Sequence, residues 1–436
     1  MSEGSSTVAY TARLGQIAGA WVDAPWVEVD AAGTVVKAQS GRPEQTPTIV
    51  HDLGRALLLP GLVNAHSHAF QRQIRGATHR RGTHDPTSFW SWREAMYRAA
   101  NSLDPGAVYT ATRGCYREML RAGITCVGEF HYLHHAPDGR PYADPNELSR
   151  QVIRAAESVG IRLVLLSVFY VRAGAGREAL PEQRRFCDAD VDAYLTRLDV
   201  LRGEGVHVGV APHSVRAVPA TALRELAAYA NGHGLPLHMH VSEQPQENAE
   251  CHAEHGCTPT ELLRATGCLD RPGGFTAVHA IHLEPADFVA LAGHNVCACP
   301  TTEADLGDGI IPAGEHLRHG VGLALGSDSN AVVDLIQEAR LLEMHERLRT
   351  RARLCLAGRE QVGQTLLEIA TAGGARALGC PELGQIRVGA PFDACTVDLG
   401  HPTLAHLDPN DALDAVLLSG TAAAVDRVFV AGVRRV

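Results

Sequence analysis

Residues 56–70 read ALLLPGLVNAHSHAF, an apolar run over 56–65 that leads into His66 and His68. Short runs of this kind suit a strand buried on both faces of a parallel sheet. On an extended chain, alternate side chains share a face, so both imidazoles can reach one point at the strand's C-terminal end. An H-x-H pair decides little by itself in a chain with 23 histidines. Its meaning comes from the runs that follow.

Seven more runs recur: ITCVGEF (124–130), RLVLLSVFY (162–170), VHVGVAP (206–212), PLHMHV (236–241), FTAVHA (275–280), NVCACP (295–300) and VGLALGSD (321–328). Helix-periodic stretches lie between them, among them PGAVYTATRGCYREMLRAG, PNELSRQVIRAAESVG and PATALRELAAYANGHG. Eight strands alternating with helices predict an α/β fold closed into a TIM-like (β/α)8 barrel. An open, doubly wound sheet is the alternative, but no G-x-G-x-x-G follows the first strand. The two ends read differently. Residues 6–55 carry short alternating stretches (WVEVD, GTVVKA), and so does the C-terminal part (GQIRVGAPFDACTVDL, DRVFVAGVRRV), as in antiparallel strands. We expect residues 1–57 and 383–436 to form one small β-sandwich domain beside a barrel domain at 58–382.

Composition narrows the function classes. A net charge of −10 with no basic block is a poor match to nucleic acid. No apolar run reaches the roughly 18 residues of a membrane span. The opening MSEGSSTVAYTARLG has neither a basic start nor an apolar core, so no secretory leader is expected and a cytoplasmic location is. The 11 cysteines lack paired spacing, and Cys297 and Cys299 form C-x-C rather than C-x-x-C, which argues against a thiolate metal knuckle. Lys37 is the only lysine, so no lysine from the middle of the chain can take part in chemistry.

Four strand ends carry metal ligands or proton carriers. His66 and His68 end the first. HMHVSE ends the fifth with His238, His240 and Glu243, where His240 can add a third nitrogen ligand and Glu243 can shuttle protons from the following loop. His238 shares a face with His240 and is read as structural or supporting. AVHA ends the sixth with His279, suited to polarise water or substrate, with His282 close behind. GSDS ends the eighth with Asp328, able to bind a metal and accept a proton. Each has a plainer reading: a surface carboxylate for Glu243, a packed core histidine for His279, a helix cap for Ser-Asp-Ser. Together they set three nitrogens and one carboxylate on one rim, leaving a coordination position for water. One divalent metal held so would bring that water's pKa to about 7. Zinc, iron and manganese all suit such ligands, and zinc is expected.

LLPGLVNAHSHAF, HMHVSE, AVHA and GSDS, in this order, resemble the motifs of the amidohydrolase superfamily. The resemblance implies the barrel and a sandwich built from both ends. Its binuclear members use a carboxylated lysine or a glutamate on the fourth strand. Lys37 precedes the barrel, which agrees with the mononuclear deaminase branch, where His66, His68, His240 and Asp328 hold the metal and Glu243, His279 and Asp328 are catalytic.

A narrower resemblance, to formimidoylglutamate deiminases, rests on HSHAFQR (66–72), SFWSWREAMYR (88–98), EFHYLHH (129–135), APHSVRAV (211–218), SEQPQE (242–247) and CPTTEADLGDGI (299–310). It implies hydrolysis of N-formimidoyl-L-glutamate to N-formyl-L-glutamate and ammonia in histidine degradation, by a homodimer. A dicarboxylate calls for planar guanidinium forks, and Arg93 and Arg216 are the candidates, with Gln71, Tyr132 and His213 as further substrate contacts. For Arg93 the plainer reading is a helix-surface ion pair near Glu94. Trp90 and Trp92 are expected to pack. Asn330 follows GSDS where many relatives have His, a departure that can alter bonding near Asp328 without removing a ligand. Two other functions remain open: a mononuclear deaminase of purines, pyrimidines or related amidines, which would favour aromatic stacking over paired arginines, and a catalytically dead scaffold, which would have lost ligands.

Overall fold

The computed structural model describes residues 7–79, 89–358 and 361–436. Eight parallel strands form the central sheet: β1 (Leu62–Ser67), β2 (Ile124–His131), β3 (Arg162–Phe169), β4 (Val208–Pro212), β5 (Leu237–Val241), β6 (Phe275–His279), β7 (Asn295–Ala298) and β8 (Gly322–Leu325). Each pairs with its sequence neighbours, and the ring shuts where Ser67 bridges Asp328 in parallel register. The predicted helices stand at Pro105–Arg121, Glu147–Val159 and Ala220–His233. Asp104 caps the first through its side chain, and left-handed Gly160 and Gly234 end the other two. No helix among the described residues is long and apolar enough to cross a membrane.

The run at 56–65 is two strands rather than one. Ala56–Pro60 pairs with Leu14–Ile17 and Ala394–Asp398 in a six-stranded sheet made from both chain ends. The chain then passes Gly61 and enters β1. A Cβ at Gly61 would lie 2.2 Å from the Thr125 hydroxyl, so a bare backbone is needed at the crossing. A second, four-stranded sheet is built from Val8–Thr11, Pro25–Val29, Val35–Ser40 and Ile49–Asp52. Side chains of both sheets, among them Tyr10, Val27, Val29, Leu58 and Phe429, make one apolar cluster with Phe392, the interior of a sandwich.

The β1–β8 seam carries a buried polar network. Asn64 donates to the Ser327 hydroxyl at 2.6 Å and accepts from the Ser327 amide at 3.0 Å. Ser327 donates to Asn330 Oδ1 at 2.7 Å, and Asn330 Nδ2 donates to Ser67 (3.2 Å) and to the Asp328 carbonyl (3.0 Å). Asn330, the departure noted in the sequence, is therefore a closing link of the barrel. Outside this network, Arg72 donates to the carbonyls of Asn330 (2.8 Å) and Ala331 (2.7 Å) and pairs with Glu118.

The seam also depends on Gly326. A Cβ there would lie 2.8 Å from His66 Cβ and 2.9 Å from both the His66 carbonyl and Cys299 Sγ. Gly326→Ala is expected to lower stability by about 1–3 kcal/mol, the usual cost of overpacking. Gly232→Ala, inside Ala220–His233 with open space around it, should raise stability by about 0.5–1 kcal/mol. Urea unfolding of both variants beside the parent checks the pair; equal midpoints for all three would refute the crowding.

Candidate metal centre and substrate cleft

At the C-terminal mouth of the barrel, four ligand atoms converge in a buried pit. His66 Nε2 lies 3.2 Å from His68 Nε2, 3.2 Å from His240 Nε2 and 3.4 Å from Asp328 Oδ1, and His68 Nε2 is 3.2 Å from the same oxygen. Ligands about 2.0–2.1 Å from a tetrahedral ion sit roughly 3.3 Å apart, so the spacing matches one ion held by all four.

The tautomers point the same way. His68 Nδ1 donates to the Phe130 carbonyl at 2.9 Å, and His240 Nδ1 donates to the His213 carbonyl at 3.0 Å. With each Nδ1 carrying the proton, the Nε2 lone pairs face inward. Burial drives His66 down to about 3 and His240 well below the usual imidazole range. Uncharged nitrogens 3.2 Å apart repel one another and invite a cation, so the donor set fits a divalent metal. Burial favours the neutral Asp328 carboxyl, but the close His66 and His68 imidazoles and the His279 charge outweigh it and hold the group well below the carboxylate range.

Asp328 divides its oxygens. Oδ1 faces the histidines, while Oδ2 lies 3.8 Å from His279 Nε2. Glu243 Oε1 approaches the same nitrogen at 3.7 Å, and Glu303 Oε1 meets His279 Nδ1 at 3.3 Å. Burial disfavours a charged His279, yet Glu243, Glu303 and Asp328 prevail and hold its pKa well above the usual value. Burial raises Glu243. The arrangement puts a proton-bearing imidazole nitrogen beside the Glu243 and Asp328 carboxylates at the edge of the pit, with Glu303 on the far nitrogen, suited to move protons at a reacting carbon.

Glu303, inside CPTTEADLGDGI, was not singled out in the sequence, although its motif was. It also accepts from the Cys299 amide at 2.9 Å, which fixes the carboxylate that orients His279. His238 Nε2 donates to the Ala377 carbonyl at 2.7 Å and takes no place in the cluster. Lys37 lies 3.9 Å from Glu28 on the terminal sheet.

A cleft opens above the pit, and Gln71, Arg93, Tyr132, His213 and Arg216 all line it. Gln71 Nε2 donates to the Tyr132 hydroxyl at 2.6 Å, and the Tyr132 ring packs edge-on against His68. His213 holds His240 through its carbonyl and shows its own ring to the cleft. Arg216 is buried; desolvation opposes its charge, and Glu247, Tyr170 and Glu243 sustain it. Arg93 does not lie on the outer face of its helix. It faces the cleft, with its guanidinium 5.5 Å from the Tyr97 ring centre. Trp92 packs against the core and also lines the cleft, while the Trp90 side chain lies outside the described residues. Tyr97, Tyr170 and Phe186 complete this wall and were missed. Tyr170 follows β3, where strand-end position was the available signal.

Residues 57–435 match the amidohydrolase family. A formimidoylglutamate deiminase from Pseudomonas aeruginosa is 41% identical over 415 residues, covering 93% of this chain and 89% of that protein. A 5-methylthioadenosine/S-adenosylhomocysteine deaminase from Nitratidesulfovibrio vulgaris is 30% identical over 390 residues, covering 86% and 79%. Among solved structures, an amidohydrolase from Brucella melitensis superposes with a TM-score of 0.89 at 36% identity, covering 98% of this chain and 94% of that one. The chain belongs to the amidohydrolase family.

The purified protein is expected to hold one equivalent of divalent metal per chain by elemental analysis. Stripping it with a chelator should lower the thermal midpoint, because a ligand bound to the folded state alone stabilises that state. His240→Ala should lose the metal. A protein that folds with no metal, and whose midpoint ignores the chelator, would contradict the site.

Proposed function

We propose that this amidohydrolase hydrolyses the terminal C–N bond of N-formimidoyl-L-glutamate, giving N-formyl-L-glutamate and ammonia. What carries the reading is one cleft that joins a metal-binding pit to two arginines, Arg93 and Arg216. An amidine head fits the acid–base end, and guanidinium groups suit carboxylates at the other. The 41% identity to the Pseudomonas aeruginosa deiminase over nearly the whole chain supports it.

His66, His68, His240 and Asp328 would hold one divalent ion, which we take to be zinc. When bound, such an ion supplies acidified water and polarises the electrophile. Asp328 and His279 accept and steer the water proton. As the water oxygen bonds to the formimidoyl carbon, Glu243 delivers a proton to the terminal nitrogen. The C–N bond then breaks as Asp328 passes the water proton it accepted to the same nitrogen and the remaining hydroxyl proton returns to Glu243, so that ammonia leaves while the carbon becomes a formyl group. Gln71, Tyr132 and His213 orient the substrate, and the arginines grip its carboxylates. The reading extends to a homodimer in the cytoplasm; eleven free thiols agree with a reducing compartment. It also treats 58–382 as the catalytic domain and the two ends as its sandwich partner.

A coupled ammonia assay tests the substrate. N-formimidoyl-L-glutamate should be turned over, and guanine, cytosine and 5-methylthioadenosine should not; release from any of these three with none from the first would transfer the protein to another substrate class. Glu243→Gln should keep its metal and nearly abolish turnover. Arg216→Met should mainly raise KM, with a smaller fall in kcat from misplacement of the reacting carbon. Full activity in the Glu243 variant would remove that residue from the chemistry.

A further inference from the structure

Gln183 lies on the short helical segment Pro181–Phe186 and is fully buried. Its Oε1 accepts from the Leu180 amide at 2.8 Å. That contact fixes which end of the amide is which, because only the oxygen can accept. The Nε2 end then donates to two phenol oxygens, Tyr97 at 2.8 Å and Tyr170 at 2.6 Å. Both amide hydrogens and the amide oxygen are therefore committed. Each tyrosine oxygen has spent an acceptor site on Gln183, and its own proton must point elsewhere. Among the described residues no carboxylate, carbonyl or ring nitrogen takes either proton. Both tyrosines line the cleft.

The same segment fixes the rings. Gln183 and Phe186 are three residues apart, one turn of a 3-10 helix, and so lie on one side. Phe186 packs against Tyr97 (5.8 Å between ring centres), Tyr132 (5.1 Å) and Tyr170 (6.1 Å). Arg185 anchors the turn, donating to the carbonyls of His135, Ala100 and Leu103. Arg93 lies over the Tyr97 ring, and the Tyr170 hydroxyl sits in the field of both Arg216 and Arg93.

We infer that Tyr97 and Tyr170 are carboxylate-binding residues whose hydroxyl protons are aimed into the cleft by Gln183, so that one substrate carboxylate is held by two phenols as well as by the arginines. Gln183 is a positioning residue: it touches the phenols and not the substrate. The inference deepens the reading above and rests on a dicarboxylate occupying this cleft. Phenol donors fit here for a physical reason. A buried Tyr O–H gives directional recognition without adding a third positive charge beside two guanidiniums.

The test uses metal-loaded protein and two readouts. The first is KM and kcat with N-formimidoyl-L-glutamate, and the second is calorimetric binding of N-formyl-L-glutamate, which needs no turnover. Tyr97→Phe and Tyr170→Phe should each raise KM and weaken binding roughly tenfold or more, the usual worth of a hydrogen bond to a charged acceptor, with kcat within about twofold. Gln183→Glu should be worse than Gln183→Leu. The new carboxylate accepts from both phenols and turns their protons away, while leucine leaves them free to serve the ligand. Unchanged binding in both Phe variants, or a Glu variant that binds as well as the Leu variant, would overturn the inference. Should the Glu variant fail to fold, the Phe pair decides alone. If the parent protein binds N-formyl-L-glutamate but releases no ammonia from the formimidoyl compound, the substrate reading fails while the phenol assignment is still decided by binding.

Discussion

Inward-facing nitrogens of His66, His68 and His240 and a carboxylate oxygen of Asp328, held within 3.2–3.4 Å of one another where these distances connect them, form the constraint on which the rest of the molecule is organised. Without a cation that contact is repulsive, and no local piece of chain could maintain it. Asp328 and His66 are far apart in sequence and meet only because β8 closes against β1. Backbone pairing across the seam is a single bridge between Ser67 and Asp328, and side chains reinforce it. Asn64, Ser327, Asn330 and Ser67 bond to one another in sequence, Arg72 clamps the outside, and Gly326 lets the two backbones approach. A buried polar network is favourable only when its members satisfy one another, and this one also fixes the strand register that aims the ligands.

The sequence made the barrel legible because each strand is a short apolar run ended by a polar residue of known chemistry. Strand ends in order are enough to place His66, His68, His240, His279 and Asp328 on one rim. The break at Gly61 was illegible, since two successive buried strands leave the same unbroken apolar pattern as one. Asn330 stood out only as a departure from histidine; its bond to Ser67 depends on a residue 263 positions away and leaves no local trace. Gln183, Glu303 and Phe186 were hidden for a related reason. They sit on short loop helices, where alternation of polar and apolar residues no longer says which side chain faces inward.

Five of the eleven non-glycine residues with positive φ among the described residues lie at the same rim. Ser242 (φ 50°), His279 (71°), Ala280 (50°), Asp328 (43°) and Asn330 (55°) all occupy the left-handed region without being glycine. Such conformations cost on the order of 1–3 kcal/mol each and persist only when neighbours over-determine them. Here the neighbours are one another. The Ala280 amide donates to the Val241 carbonyl at 3.0 Å, the His282 amide to Ser242 at 3.0 Å, and the Asp328 amide to His66 at 3.0 Å. Each kinked strand end is therefore locked by the preceding strand or by the first.

Because the locks run from strand to strand, the geometry of the pit is a collective property of the closed ring. The substrate wall is built otherwise. Arg93 lies on the helix Phe89–Ser102, Gln183 on Pro181–Phe186, and Arg216 on the connection after β4. These segments contact the ligand region but carry no barrel register. A substitution among them can change which molecule is bound while leaving the metal ligands in place, whereas a substitution at a strand end is transmitted to the next strand. Chemistry on the rigid ring and recognition on its connections is thus a division imposed by where the hydrogen bonds lie.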